Sequence, residues 1–268
     1  MKTNLSVQNL QCTRCVSSIN NALLKINGVY GVEVNIANQR VLVDHTENVS
    51  LDSLSKELDK LGYPVATQDL FGERAGEWDL NPVRINQSEK FFKQVAQVVP
   101  LLPNFKVLDF GCGTGLVGLH FAPFVGRLVM VDSSPGMLNE LHKKLSILAL
   151  DTTKVELLSD IAKHKENDID LIVSMMTLHH IEDVSALLAV FFNKLNKDGY
   201  IAIGDLMLED GSFHDEYVPH YGFDPQDICA KLIAQGFQLV QCASFNELSK
   251  ETKNGLKDFE QFLIIAKK

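Results

Sequence analysis

No apolar run in the 268 residues reaches the ~18–20 positions that a membrane-crossing helix needs. The opening Met1-Lys2-Thr3-Asn4-Leu5 leads into no apolar signal core. The chain is therefore expected to stay in the cytoplasm, with no membrane partner. Positive charge is scarce: 25 Lys and Arg stand against 34 Asp and Glu, a formal net charge of -9. That deficit argues against sequence-blind nucleic-acid binding, which rests on neutralising phosphates. Cysteines number five, an odd count that, in a chain expected in reducing surroundings, argues against a disulfide framework. Repeats and low-complexity tracts are absent. What remains is the balance of a globular protein, 46% hydrophobic and 22% charged. The length suits one large or two modest domains.

Two patterns follow one another along the chain. Asn4–Val7 alternates as a short strand. Val16, Ile19, Ala22, Leu23 and Ile26 then recur at helical spacing until Asn27-Gly28 stops them. Val32, Val34 and Ile36 alternate with Glu33 and Asn35, Ala37-Asn38-Gln39 reads as a turn, and Val41–Val43 returns. Ser50 can cap a helix with Leu51, Leu54, Leu58 and Leu61 on one face, and a last strand falls at Val65–Thr67. This βαββαβ order predicts a ferredoxin-like domain over residues 1–67. Residues 1–66 hold six basic and six acidic side chains, so the excess negative charge lies beyond them. Residues 68–76, with Gly72 and Gly76, read as a linker.

From residue 77 to 268 strands and helices alternate. A helix carrying Phe91, Val95, Val98 and Val99 stops at Pro100. Strands are predicted at 107–110, 128–131, 155–158, 171–173, 201–203, 238–242 and 260–266. Helices are predicted over 135–145, 184–195 and 225–235. Such alternation specifies an α/β domain with a parallel, doubly wound, Rossmann-like sheet.

Asp109-Phe110-Gly111-Cys112-Gly113-Thr114-Gly115, at a strand-to-helix junction, is the most informative stretch. Its glycines let the backbone turn sharply and let a ligand approach without a Cβ in the way, and the following helix offers backbone N–H groups. The nicotinamide spacing G-x-G-x-x-G fails, because position 116 is Leu. Asp109 would repel a pyrophosphate and suits an amino group. Asp132 ends the next strand, where it can accept from two ribose hydroxyls. Asp160-Ile161 follows the third strand and can meet an adenine amino group and ring. S-adenosylmethionine combines these three features.

These residues carry a resemblance. Residues 107–115 resemble motif I of the class I S-adenosylmethionine-dependent methyltransferases, Asp132 their second-strand acid, and Asp160-Ile161 their adenine contact. Asp170-Leu171-Ile172-Val173-Ser174, with Leu178-His179-His180-Ile181, is similar to the fourth-strand region of the ubiquinone/menaquinone-biosynthesis (type 11) kind. Ala75-Gly76-Glu77-Trp78-Asp79 resembles the aromatic-Asp segment that caps the cofactor there. The resemblance runs from about residue 75 to 268 and implies seven strands. It implies that Gly111, Gly113 and Gly115 hold the methionine end, with Trp78 and Ser174 beside the cofactor. Cys112 reads as a small filler rather than a nucleophile.

Methyl transfer from a sulfonium needs in-line positioning above all, and a base only where the acceptor must lose a proton. The place of a nucleobase-amine motif, Asn/Asp-Pro-Pro-aromatic, holds Ser174-Met175-Met176-Thr177, which disfavours that acceptor class. The candidate bases are His179, His180, His214 and His220. His180 is assigned because it lies near the C-terminal edge of the fourth strand. His214 and His220 are assigned within Phe213–Tyr221, a segment rich in aromatic and titratable groups that reads as a lid over a small-molecule acceptor.

Cys12-Thr13-Arg14-Cys15 lies between a strand and a helix, where two thiolates suit a soft ion, Cu(I) or Zn(II). The domain resembles the heavy-metal-associated domain of copper chaperones and metal ATPases, with Tyr63 where bacterial members often have Tyr. Where that family has Gly-Met-x-Cys-x-x-Cys, this chain has Asn9-Leu10-Gln11-Cys12-Thr13-Arg14-Cys15, which leaves the metal's identity open. The expected function is methyl transfer to a small molecule by a chain whose N-terminal domain senses or delivers metal. The rival expectation is a metallochaperone or metal sensor whose second half binds a nucleoside without turnover.

Overall fold

The computed structural model of the chain describes residues 1–7, 9–10, 13–36, 40–66, 69–148, 150, 154–214, 218–253 and 255–268. They form two compact units, Met1–Asp69 and Leu70–Lys268.

The first unit runs β1 (Lys2–Val7), α1 (Thr13–Leu23), β2 (Val29–Asn35), β3 (Arg40–His45), α2 (Leu51–Lys60) and β4 (Val65–Ala66). Its strands make one antiparallel sheet in the order β2-β3-β1-β4. Alternate residues of β1 and β3, Leu5, Val7, Val41 and Val43, are buried with Ile19 and Leu23 of α1 and Leu54 and Leu58 of α2. Each such aliphatic side chain contributes about 1.5–3 kcal/mol on burial. Ser50 caps α2, its Oγ accepting from Ser53 N at 3.2 Å. The predicted turn at Ala37-Asn38-Gln39 and the strand position Thr67 lie outside the described residues.

The second unit begins with α3 (Leu70–Arg74), a 3-10 turn (Ala75–Leu80) and α4 (Pro82–Val98). It continues through β5 (Lys106–Phe110), α5 (Gly118–Phe121), β6 (Arg127–Val131), α6 (Pro135–Ile147), β7 (Val155–Leu158) and β8 (Ile169–Met175). It closes with α7 (Val184–Lys194), β9 (Leu195–Leu206), α8 (Pro225–Gln235), β10 (Gln238–Thr252) and β11 (Gly255–Lys267). Seven strands make one sheet in the order β10-β11-β9-β8-β5-β6-β7. Its central strands are apolar on both faces because helices cover both. Phe91 and Val95 of α4, Phe121 of α5 and Leu141 of α6 fill one side. Leu188 and Phe191 of α7 with Ile228 and Leu232 of α8 fill the other. Strands are added on one side of β5 as β6 and β7, then on the other as β8 and β9. The crevice above the C-terminal ends of β5 and β8 is where such a sheet takes its ligand.

Three predicted features change. The segment read as a linker is helical from Leu70 onward. Gly72 lies so close to α6 that a Cβ on Gly136 would sit 2.4 Å from its Cα, so these glycines admit backbone contact rather than flexibility. The sheet is not wholly parallel, since β11 runs antiparallel to both β9 and β10. The last two strands also extend well past the predicted bounds. Ser249 pairs with Asp258 and Glu251 with Leu256, so backbone pairing continues where the hydrophobic pattern has faded.

Candidate active site

The chain turns sharply after β5. Gly111 N and Cys112 N both donate to Val131 O, at 2.8 and 3.0 Å, which ties the loop to the end of β6. Gly111 (φ +72°) and Gly113 (φ +52°) lie in the left-handed region. The three glycines do different work. A Cβ on Gly111 would meet Thr177 at 2.2–2.7 Å, and one on Gly115 would meet Leu141 Cδ1 at 2.6 Å. A Cβ on Gly113 would find nothing nearer than Met137 Sδ at 3.8 Å and Trp78 Nε1 at 4.0 Å. Gly113 therefore floors an open cradle, with Trp78 and Met137 at its sides.

Asp132, the half-buried residue after β6, stands at that cradle. Its Oδ2 accepts from Gly113 N at 2.7 Å and its Oδ1 from Ser134 N at 2.8 Å. Two backbone donors thus hold an anion beside the glycine loop. Asp160, exposed beyond β7, caps its own turn by accepting from Ala162 N at 2.8 Å, and Ile161 is buried behind it. Asp132 N donates to Leu158 O, so the Asp132 and Asp160 turns begin at adjacent strand ends.

Trp78 is clasped from two sides. The Arg84 guanidinium lies 3.7 Å from its ring centre, and Phe71 meets it edge-on at 5.9 Å. Its neighbour Asp79 accepts from Thr114 Oγ1 at 2.5 Å and pairs with Lys144 Nζ at 2.5 Å, while Lys144 also reaches Thr114 O. The 75–80 turn is thereby fastened to the glycine loop. The cradle chemistry fits the predicted cofactor: an open backbone for a methionine end, a fixed carboxylate for ribose, and an aromatic wall.

Four sequence assignments are corrected. Asp109 is 1% exposed, and its Oδ2 accepts from Gly118 N at 2.8 Å. It supports the loop from beneath and does not face an amino group. Burial raises its carboxyl to about 7, opposed by the Gly118 N–H and assisted by the Asp132 charge. The helix after the loop is one short turn, α5, whose leading N–H is that same Gly118 donor, so it offers no open terminus. Ser174 is fully buried and donates from Oγ to Phe110 O at 3.0 Å, stapling β8 to β5 beneath the site. His220 spends Nε2 on Ile181 O at 2.9 Å, its ring lies against Phe223, and its backbone N–H donates to His179 O at 3.3 Å, so its imidazole is engaged in holding the turn. Cys112 behaves as expected of a filler, because burial, then Asp109 and Asp132, hold its thiol protonated.

The remaining histidines converge. Leu178–His180 forms a 3-10 turn after β8. His179, 1% exposed, hydrogen-bonds through Nδ1 to Asp205 Oδ1 at 2.6 Å, and its N–H reaches Asp205 Oδ2 at 3.4 Å. The His179 ring lies 4.2 Å from that of His180 and 4.6 Å from that of His214. Burial, then His179 and His214, lower His180 to about 4, against the pull of Asp205. Phe71 touches His180 at 5.2 Å, which links this cluster to the Trp78 wall. Asp205 was not foreseen. Its signal is an acid just before the end of the apolar run Tyr200–Leu206, the same signature as Asp109 in β5.

In the first unit Cys15 sits in the first turn of α1 and is 7% exposed; its partner Cys12 lies outside the described residues. Among the described residues no three His, Cys, Asp or Glu converge as a metal site, and no helix is long and apolar enough to cross a membrane.

Comparison with known proteins places both units. A family model described as a methyltransferase domain matches residues 74–252, and one described as a heavy-metal-associated domain matches residues 4–64. An uncharacterized methyltransferase of Schizosaccharomyces pombe is 29% identical over 46% of this chain and 49% of its own length. A phosphoethanolamine N-methyltransferase of Arabidopsis thaliana is 28% identical over 66% and 35%. A ubiquinone biosynthesis O-methyltransferase of Bartonella quintana is 28% identical over 52% and 62%. The chain thus spans from about a third to under two thirds of these curated relatives. The solved structure of an S-adenosylmethionine-dependent methyltransferase from Aquifex aeolicus shares the fold. It has a TM-score of 0.54 and 20% identity, covering 73% of this chain and 97% of that one.

Proposed function

The chain belongs to the methyltransferase family that its residues 74–252 match, and from that premise we propose that it transfers the methyl group of S-adenosylmethionine to a small-molecule acceptor. The observation that carries this reading is the Gly113–Asp132 cradle, open above the glycine and bounded by Trp78. Bound there, the cofactor supplies an activated sulfonium methyl. The open N–Cα–C face of Gly113, beside Gly111, receives the methionine end. Asp132 accepts from the ribose hydroxyls and fixes the orientation of the whole ligand. Asp160 and Ile161 border the adenine. Trp78, held by Arg84 and Asp79, closes the cradle and excludes water. His180 and His214 stand on the acceptor side.

The heavy-metal-associated segment adds a second activity. Cys12 and Cys15 hold a soft ion, and Cu(I) is favoured over Zn(II) because two thiolates fall short of zinc's four-coordinate demand. The segment senses or delivers that ion. A cytoplasmic location is part of this reading, since such thiols stay reduced there.

An acceptor screen for S-adenosylhomocysteine release tests the enzyme reading, alongside Cu(I) titration of the same protein. Cys12→Ser with Cys15→Ser is expected to abolish one-to-one Cu(I) binding and to leave cofactor affinity within about two-fold, since linked domains couple weakly by default. Retained Cu(I) binding in the double variant contradicts the ligand assignment.

A further inference from the structure

Two cysteines remote from the cradle meet at the β10 edge of the seven-stranded sheet. Cys229 lies in α8 and is 3% exposed, buried in one cluster with Ile228, Leu232, Phe237 and Ile264. Cys242 lies in β10, the edge strand, directly opposite Ile264 of β11. Residues opposite one another on paired strands project from the same face. Cys242 therefore points to the side of the sheet that α8 covers, because Ile264 shares its core with Cys229. The connection between the two is short and fixed. Gly236 ends α8 in the left-handed region at φ +104°, Phe237 N donates back to Leu232 O at 3.1 Å, and β10 starts at Gln238. The two side chains touch, the Cys229 thiol donating a hydrogen bond to the Cys242 sulfur. Burial, then that bond and the charge of Cys242, push the Cys229 thiol up to about 12, so Cys229 keeps its proton. Among the described residues Cys242 is the only exposed cysteine.

We propose that Cys242 and Cys229 are a redox modification site, in which a hydroperoxide oxidises exposed Cys242 and buried Cys229 resolves the product into a reversible disulfide. This site is independent of methyl transfer and of the Cys12–Cys15 pair. In the first step the Cys242 sulfur attacks the peroxide, an S–O bond forms and the O–O bond breaks. The O–O electron pair leaves on an alkoxide, which takes the Cys242 proton and departs as an alcohol. Cys242 is then a sulfenic acid. In the second step the Cys229 sulfur attacks the Cys242 sulfur and an S–S bond forms. The S–O pair leaves as hydroxide, which the Cys229 proton converts to water. Two thiols together lose two electrons, and the peroxide gains them. The division of roles follows from exposure. Attack needs a sulfur that the oxidant reaches, and resolution needs a second thiol already beside it. Cys112 has the first property no better than Cys229, being 6% exposed, and its thiol is turned to Gly113 O. In reducing surroundings such a bond is transient rather than structural. Closing it ties α8 to the edge strand and keeps Cys242 from the irreversible sulfinic acid.

Lys231 lies between the two cysteines, so trypsin separates them and a disulfide appears as two peptides joined by a reducible link. The full-length protein is reduced, freed of reductant, treated with a small excess of tert-butyl hydroperoxide, alkylated, digested and mapped by mass spectrometry. The Cys229 and Cys242 peptides are expected to be joined, with both thiols of this pair lost to alkylation and both restored by dithiothreitol. In Cys229→Ala the joined peptides are expected to vanish and dimedone to label Cys242 as its sulfenic acid. In Cys242→Ser, Cys229 is expected to stay a free thiol. The wild-type map stands whether or not the variants fold. A folded wild-type chain in which Cys242 reaches sulfinic acid while Cys229 stays free overturns the proposal. So does a chain in which both thiols survive the peroxide, in which Cys242 joins Cys12 or Cys15 instead, or in which the link forms as readily in urea.

Discussion

Asp109 and Asp205 each stand one residue before the end of a buried strand, 1% and 0% exposed, and each accepts from backbone N–H groups. Their surroundings then diverge. Asp109 meets only backbone among its hydrogen-bond donors, has a second carboxylate nearby, and is pushed toward its neutral form. Asp205 is also met by an imidazole at 2.6 Å, with two more histidines behind it. The same position on the two strands that flank β8 thus serves as a brace under a loop in one case and as the hydrogen-bonded partner of a buried histidine in the other. What distinguishes them is the turn each meets, the glycine loop that follows β5 itself for Asp109 and Leu178-His179-His180 after the adjoining β8 for Asp205.

Substitutions in the glycine loop should separate ligand space from packing space. Gly113→Val is expected to lower cofactor affinity on the order of 100-fold while costing only about 1–2 kcal/mol of stability, the strain of a Cβ at φ +52°. Gly111→Ala should do the reverse, costing about 2–4 kcal/mol because its Cβ collides with Thr177. Calorimetric titration beside thermal melts checks both; equal behaviour of the two variants would erase the distinction between floor and packing.

The acids differ in their pH signatures. Asp109 keeps its proton to about 7 in the folded chain but only to about 3.9 when unfolded. The folded state binds the extra proton across that window, so stability falls as pH rises from about 4 to 7, by at most ~1.4 kcal/mol per unit. Asp109→Asn should flatten this slope and melt higher than wild type at pH 8. An unchanged slope would show that Asp109 titrates as an ordinary carboxylate.

His180 works in the opposite sense and more weakly. Its ring stays neutral to about 4 when folded and takes a proton near 6.5 when unfolded, so stability is lost as pH falls through that interval. His180→Gln should remove this acid-side loss, with a modest effect because solvent shares the site. Melts at pH 5 and 7 that differ equally in wild type and variant would contradict the lowered value.

The loop was legible because only glycine tolerates its backbone and because Asp132 follows one strand later in register. Helices α2, α4 and α7 were legible from apolar spacing and from stops at Gly62 and Pro100. The cluster was less so. His180 and His214 were visible as titratable groups, but nothing local couples His179 to Asp205, 26 residues away. That pairing exists only once β8 and β9 lie side by side. Asp109 was read as a ligand contact because an acid suits an amino group, and Ser174 from the resemblance of the fourth strand, yet their side chains turn inward to the backbone of Gly118 and Phe110. The hairpin extension beyond Ala243 was hidden because backbone pairing, not apolar side chains, prolongs it.

The central claim is that the cradle between Gly113, Asp132 and Trp78 holds S-adenosylmethionine. Isothermal titration of the wild-type chain and of Asp132→Ala with S-adenosylhomocysteine tests it most directly. One site per chain is predicted in the wild type, weakened about 10- to 100-fold in the variant by loss of a charge-assisted acceptor, about 1.5–3 kcal/mol. No binding by the wild type, or equal affinity in a folded Asp132→Ala chain, would contradict the account.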